Sequence, residues 1–251
     1  MEIQVSESAG VRYLHFGSIW VQGAMRVARP WNLELDYTRE MMAALLLRPA
    51  ADWPRSVLQI GLGTASLTKF LHRHRPAAKL TVVEIEPAVV ATARQYFKLP
   101  DEGEGERLRI VIGDGADFVA ASQKRYDLIL VDGFDADART GMLDSLPFYL
   151  NCKARLTPSG LMVTNLLSKR RSVRDSLARI SEAFDDRALA FPPCASGNVV
   201  AFAAGGTPVR QSIDALKTQA RTLKENTGLD LQATLARLAA SRSCPGGRLR
   251  I

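Results

Sequence analysis

The sequence predicts an α/β fold: a mostly parallel sheet with helices on both faces, preceded by a small antiparallel β-sheet. Three observations carry this. Strand-like and helix-like stretches alternate from Arg55 to Ala204, the signature of a sheet wrapped on two sides by helices. The first strand of that series runs into a glycine turn, and the next three end in acids. Before it, some thirty residues read as strands with no helix between them.

Taken in order, "IQVSES", "VRYLHFGS" and "IWVQGAMRV" alternate or are β-branched, separated by Gly10 and by Gly17–Ser18. After Pro30, "LDYTREMMAALLL" reads as one helix with Met41, Met42, Leu45 and Leu46 on an apolar face. "SVLQIGLG" is a strand entering a glycine turn, and "TASLTKFLHRH" a helix. "KLTVVEIE" is the next strand, and "PAVVATARQYF" a helix opening with Pro87 in its first turn. "LRIVIGDG", "ADFVAAS", "YDLILVDGF" and "PFYLNCKARL" continue the alternation. A turn at Pro158–Ser159–Gly160 leads into the strand "GLMVTNLL", then the helix "SVRDSLARISEAF". Strand character at Arg187–Phe191 and in "GNVVAFAA" suggests a terminal antiparallel hairpin. Two helices broken at Gly228 follow, and the tail "CPGGRLRI" reads as frayed. The expected division is 1–50 (strands and connecting helix), 51–206 (Rossmann-like nucleoside-binding domain) and 207–251 (helical extension).

With 251 residues, 47% of them apolar, the chain can bury a sizeable core without covalent staples. Its net charge of +7 raises the question of a nucleic-acid partner. The arginines are scattered, with short clusters only at Arg170–Arg171 and Arg248–Arg250, so the charge reads as a solvated surface. Three cysteines, Cys152, Cys194 and Cys244, lack metal-ligand spacing and read as reduced thiols. The N-terminus is polar and acidic, unlike a signal peptide, and no apolar run approaches membrane-spanning length. The expected location is cytoplasmic.

Three stretches carry chemistry. In "QIGLGTASL", Gly61 and Gly63 let the backbone approach a ligand at a helix N-terminus. Glu84, some twenty residues on, ends the next strand, where an acid can bind ribose hydroxyls; the alternative is two tight turns and a solvated acid. Ser66 stands in place of the third glycine of the dinucleotide fingerprint, and no phosphate-loop lysine follows. Those departures favour a nucleoside without a pyrophosphate, such as S-adenosylmethionine or a relative. In "VIGDGADF", Asp114 between Gly113 and Gly115 either accepts an adenine amine or caps a helix. In "VDGFDADA", Asp132 and Asp135 either bind a cation together or supply one base, and Asp137 reads as a solvated loop residue. His15, His72 and His74 lie elsewhere, so no metal is expected.

The order "IGLG", "VVEIE", "GDG", "DGFD", with "WVQG" and "YTREM" before it, resembles the spermidine synthase family of polyamine aminopropyltransferases. The resemblance spans roughly residues 3–204. It implies the class I S-adenosylmethionine-dependent methyltransferase-like fold, no metal, and transfer of an aminopropyl group from decarboxylated S-adenosylmethionine to a diamine or other amine. It also implies a homodimer. Gln22, Gly61, Gly63, Thr64, Glu84, Asp114 and Gly115 would hold the nucleoside co-substrate. Asp132 would be the base, and Asp135, Glu40 and Arg39 would face the amine. The chain departs from the family at the glycine loop, where Thr64 stands for an aspartate. It departs again in "TRE", where Thr38 and Arg39 replace a tyrosine and its neighbour, and at Cys194, which replaces another tyrosine. Arg39 would repel a diamine but attract the carboxylate of intact S-adenosylmethionine. An S-adenosylmethionine-dependent methyltransferase and a non-catalytic nucleoside-binding homologue are therefore the alternatives.

Overall fold

The structure, a computed structural model, describes residues 2–17, 20–103, 107–133, 141–167, 170–241 and 243–251. Three strands, β1 (Ile3–Ser8), β2 (Val11–Phe16) and β3 (Val21–Arg26), form an antiparallel sheet in chain order. The main sheet has seven strands: β4 (Ser56–Ile60), β5 (Lys79–Glu84), β6 (Leu108–Ile112), β7 (Tyr126–Val131), β8 (Leu156–Leu167), β9 (Ala188–Ala190) and β10 (Asn198–Ala204). Their order is β6-β5-β4-β7-β8-β10-β9. The pairs from β6 to β8 are parallel, and β10 runs antiparallel to both β8 and β9, so the expected terminal hairpin is present.

The strand order reverses between β4 and β7. From β4 the chain moves outward to β5 and β6, then returns to place β7 on the other side of β4. Such a switch point opens a crevice beyond the carboxyl ends of the two central strands. Helices α3 (Ser66–His74) and α4 (Pro87–Tyr96) bury Leu67, Phe70, Leu71, Val89 and Val90 on one face. Helices α5 (Gly115–Ala121), α6 (Leu146–Ala154) and α7 (Arg170–Ala183) cover the other, with Val119, Phe148, Tyr149 and Ile180 in its core. Because both faces are covered, these strands are buried almost continuously rather than on alternate residues.

Three expectations are corrected. The stretch "LDYTREMMAALLL" is not one helix but two, α1 (Asp36–Met41) and α2 (Ala44–Leu47), with Met42 and Ala43 in a turn between them. There Leu45 and Leu46 donate to carbonyls three residues back, a tighter winding that suits a segment packed on all sides. Pro158–Ser159–Gly160 does not end a turn but bulges within β8. Tyr126 pairs with Leu156 and Leu128 with Leu161, so the extra residues loop out of the ladder. The tail is not frayed: β12 (Arg248–Arg250) pairs with β11 (Arg210–Ser212), and Leu249 and Ile251 are buried. Burying a side chain of that size contributes roughly 1.5–3 kcal/mol, enough to hold a chain end.

The two expected helices of the extension are α8 (Ile213–Thr227) and α9 (Gln232–Ala239). Gly228, at φ 76°, terminates α8 in the left-handed conformation that glycine adopts without steric cost. Both helices share one core with α1, α2, the N-terminal sheet and the α3/α4 face of the main sheet.

Candidate active site

The crevice at the switch point is a cavity of about 680 Å³, within the range that encloses a small ligand. The N-terminal sheet overhangs it with Trp20, Val21 and Gln22. Gly23 lets this sheet sit down on the glycine loop, since an added Cβ there would lie 2.5 Å from the Thr64 methyl.

At the floor, β4 and β7 end side by side, and the Asp132 amide donates to the Ile60 carbonyl at 2.9 Å. Gly61 sits against that backbone at φ 86°, and a Cβ on it would lie 2.2 Å from the Asp132 carbonyl oxygen. This position therefore requires glycine for two independent reasons.

One half of the cavity is made by β4, β5 and β6. Glu84 is buried, and its two oxygens accept from the Leu62 amide at 2.8 Å and the Glu86 amide at 3.0 Å. Burial pushes its carboxyl above the usual range, while the amides of Leu62, Glu86 and Ile85 pull it back. Beside it Ile85 is 66% exposed, an apolar wall that a flat ring would cover. Of the two expected roles of Asp114, the structure shows the helix cap. Its Oδ1 caps α5 by accepting from the Ala116 and Asp117 amides, and its Oδ2 has no partner among the described residues. Gly115 lines the cavity where α5 packs tightly on Ile60.

The other half is made by β7, β8, β10 and α1. Asp132 keeps some surface open to the cavity but lies deep among protein atoms. Its Oδ1 accepts from Asn165 Nδ2 at 2.9 Å and its Oδ2 from the Tyr37 hydroxyl at 3.2 Å. Burial raises its carboxyl above the usual range, and these two hydrogen bonds oppose that shift. Burial, together with the neighbouring Asp132, raises the Tyr37 hydroxyl well above its ordinary value, so it stays a donor. Asn165 in turn accepts from Asn198, and Asn198 from Ser196. Gln22, Gly63 and Thr64 meet Tyr37 in a narrow annex of the cavity, where the Thr64 hydroxyl lies 2.9 Å from that of Ser66.

Gln22, Gly61, Gly63, Glu84, Asp114, Gly115 and Asp132 thus converge on one cavity, with Thr64 at its annex. Arg39 and Glu40 do not join them. Arg39 is turned back on the start of α1, donating to the Leu33 and Glu34 carbonyls and to Asp36. Glu40 is buried and ion-paired with Arg237 of α9, with Thr234 3.5 Å away, because a buried carboxylate needs a counter-charge. Asp135 lies outside the described residues, as does Asp137.

Tyr37, one residue before Thr38, brings a hydroxyl to Asp132, a contact that was not expected from the sequence. Asn165 and Asn198 were also missed. Their signal was available: Asn165 interrupts an apolar strand and Asn198 opens one, and a buried amide needs partners.

A spermine/spermidine synthase domain model matches residues 35–212. The chain is 38% identical over 240 residues to the polyamine aminopropyltransferase of Neisseria meningitidis serogroup B, covering 96% of this chain and 90% of that one. It is 36% identical over 250 residues to the polyamine aminopropyltransferase of Chromobacterium violaceum, covering 100% and 94%. The crystal structure of spermidine synthase from Thermotoga maritima superposes with a TM-score of 0.65 at 21% identity, covering 94% of this chain and 84% of that one, a likeness of fold.

Proposed function

Because this chain belongs to the spermine/spermidine synthase family, we propose that it transfers an aminopropyl group from decarboxylated S-adenosylmethionine to a diamine or other small amine. The observation that carries this reading is the placement of Asp132. It is a deeply set carboxylate with a tyrosine on one oxygen, in the same cavity as a ribose-type acid, Glu84.

The nucleoside lies across the ends of β4, β5 and β6. Its ribose hydroxyls donate to Glu84, its adenine amine to Asp114, and its ring covers Ile85. The acceptor amine binds beside Asp132. An alkyl ammonium has a pKa of about 10, so it reaches the site protonated and cannot attack. Asp132 attracts the cation and takes its proton. The neutral nitrogen attacks the propyl carbon attached to sulfur, the N–C bond forms, and the C–S bond breaks. Its electron pair returns to sulfur, and methylthioadenosine leaves. The sulfonium is already a good leaving group, so positioning and electrostatics supply most of the rate. Asp135 remains part of the proposal as a second contact for the amine.

A methyltransferase reading leaned on Arg39 as the partner of the intact co-substrate's carboxylate. Arg39 is engaged at Leu33, Glu34 and Asp36, which removes that support. A homodimer and a cytoplasmic location belong to the same proposal. No helix among the described residues is long and apolar enough to cross a membrane.

Calorimetry with decarboxylated S-adenosylmethionine, the intact form and methylthioadenosine, followed by a transfer assay with small diamines, tests the reading. Tighter binding of the decarboxylated form, with aminopropylated product, is expected. Tighter binding of the intact form with methylated product would overturn it.

A further inference from the structure

We infer that Ser196, Asn198 and Asn165 form a one-way hydrogen-bond clamp on Asp132 that keeps its Oδ1 an acceptor and directs the substrate's proton to Oδ2. The inference rests on Asp132 being the base.

The clamp follows from strand register. Asn165 of β8 pairs with Val200 of β10, so Asn198 lies diagonally across the ladder on the same face. Asn165 donates to Asp132 Oδ1 at 2.9 Å, Asn198 Nδ2 donates to Asn165 Oδ1 at 3.0 Å, and Ser196 Oγ donates to Asn198 Oδ1 at 2.7 Å. An ionised carboxylate only accepts, so Asn165 must turn its NH₂ toward Asp132. That choice fixes Asn198, which fixes the Ser196 hydroxyl. Both asparagines are buried, so neither can reverse without stranding a polar group or turning the whole chain over.

Protonating Oδ1 would place two donors face to face. Protonating Oδ2 requires only that Tyr37, at 3.2 Å, swing its hydroxyl aside. Oδ2 is therefore the proton acceptor: the substrate's N–H bond breaks, an O–H bond forms at Oδ2, and the nitrogen keeps the electron pair. Among the described residues, the ionisable groups facing Asp132 and its clamp are Tyr37 from α1, Cys194, whose Sγ lies 3.0 Å from the Ser196 hydroxyl, and Glu84 and Asp114 elsewhere in the cavity. Strands β8 and β10 carry no ionisable side chain, which makes the amides their only handle on the carboxylate.

Asn198 and Ser196 are thus positioning residues, one and two steps removed from the group they act through. In Asn198→Asp the new carboxylate only accepts, so Asn165 reverses and turns its oxygen onto Asp132 Oδ1. The acid limb of kcat/KM for aminopropyl transfer should move up by at least one pH unit. Difference infrared of the Asp132 carboxyl, assigned by Asp132→Asn, should move with it. Asn198→Leu removes a donor without reversing Asn165 and should shift the limb by less than half as much. Ser196→Ala, at the exposed end where folding is not at risk, should raise the limb by several tenths of a unit, and Ser196→Thr should restore it. A fall in kcat with an unmoved limb and an unmoved infrared titration would overturn the clamp. If the wild type transfers no aminopropyl group, the proposed function falls, while the infrared titration still decides the clamp.

Discussion

The two halves of the cavity are built by different means. On the side proposed for the nucleoside, each contributor sits at or just past the end of a strand that neighbours the next in the sheet: Gly61 after β4, Glu84 on β5, Asp114 after β6. The acceptor side gathers Tyr37, Asp132, Asn165 and Asn198, separated by up to 161 residues (198 − 37), around one carboxylate. The first half is set largely by backbone: glycine turns, and amides that tie Glu84 to the loop. The second is set by side chains that hold one another. A backbone-built site should lose binding in single steps when one side chain changes. A side-chain-built site should lose its chemistry when its centre is removed.

The largest expected effect breaks the acceptor half at that centre. Asp132→Asn should lower kcat by about 10²–10⁴-fold, the usual contribution of a positioned base. Nucleoside affinity by calorimetry should stay within a few fold, because Glu84, Asp114 and the glycine loop are untouched. If affinity fell as far as kcat, the halves would not be separable and the contrast would fail.

The converse change sharpens it. Glu84→Gln keeps the shape but removes a charged acceptor from the Leu62 amide and from the ribose proposed to bind there. A hydrogen bond to a charged group is worth about 1.5–3 kcal/mol, so nucleoside binding should weaken roughly 10–100-fold. With saturating co-substrate, kcat should remain close to wild type. A variant that binds normally would mean that Glu84 serves only to brace the loop.

This contrast also explains what could be read from the chain alone. The sheet, its helices and the meeting of Gly61, Glu84 and Asp114 in one cavity were legible because each rests on a local signal: a glycine turn after an apolar run, or an acid at a strand end. Asp132 was legible for the same reason. Tyr37, Asn165 and Asn198 were not, because their role exists only where α1, β8 and β10 meet. Tyr37 was passed over for Thr38, its neighbour, since aligning a motif cannot show which residue the helix turns toward the cavity. Arg39 and Glu40 were assigned to the site by the same motif, yet the loop carbonyls and Arg237 claim them. The tail read as frayed because Leu249 and Ile251 are only two apolar residues, and their burial depends on β11 nearly forty residues earlier.

The smallest effect on the cavity itself is expected from a residue beneath its glycine loop, in the helix that carries that loop. Lys69 of α3 is 1% exposed, and its ammonium donates to the Phe97 carbonyl at 2.8 Å, with no acid in contact among the described residues. Burial lowers its pKa to about 7, against an ordinary value near 10.5. Between those values the unfolded chain holds a proton that the folded one has released. Unfolding free energy should therefore rise with pH across that window, by up to about 1.4 kcal/mol per unit, and the benefit is absent below pH 7, where both states are protonated. Lys69→Met keeps the length and apolar stem without the charge. Its denaturation midpoint should exceed the wild type's at pH 6, and the difference should shrink as pH approaches 9. Nucleoside affinity should be unchanged, because the loop is held by Glu84 and by the close approach of Gly61 to Asp132 rather than by this lysine. A wild-type stability curve parallel to the variant's from pH 6 to 9 would mean that Lys69 stays protonated in the fold, with the Phe97 carbonyl as sufficient compensation.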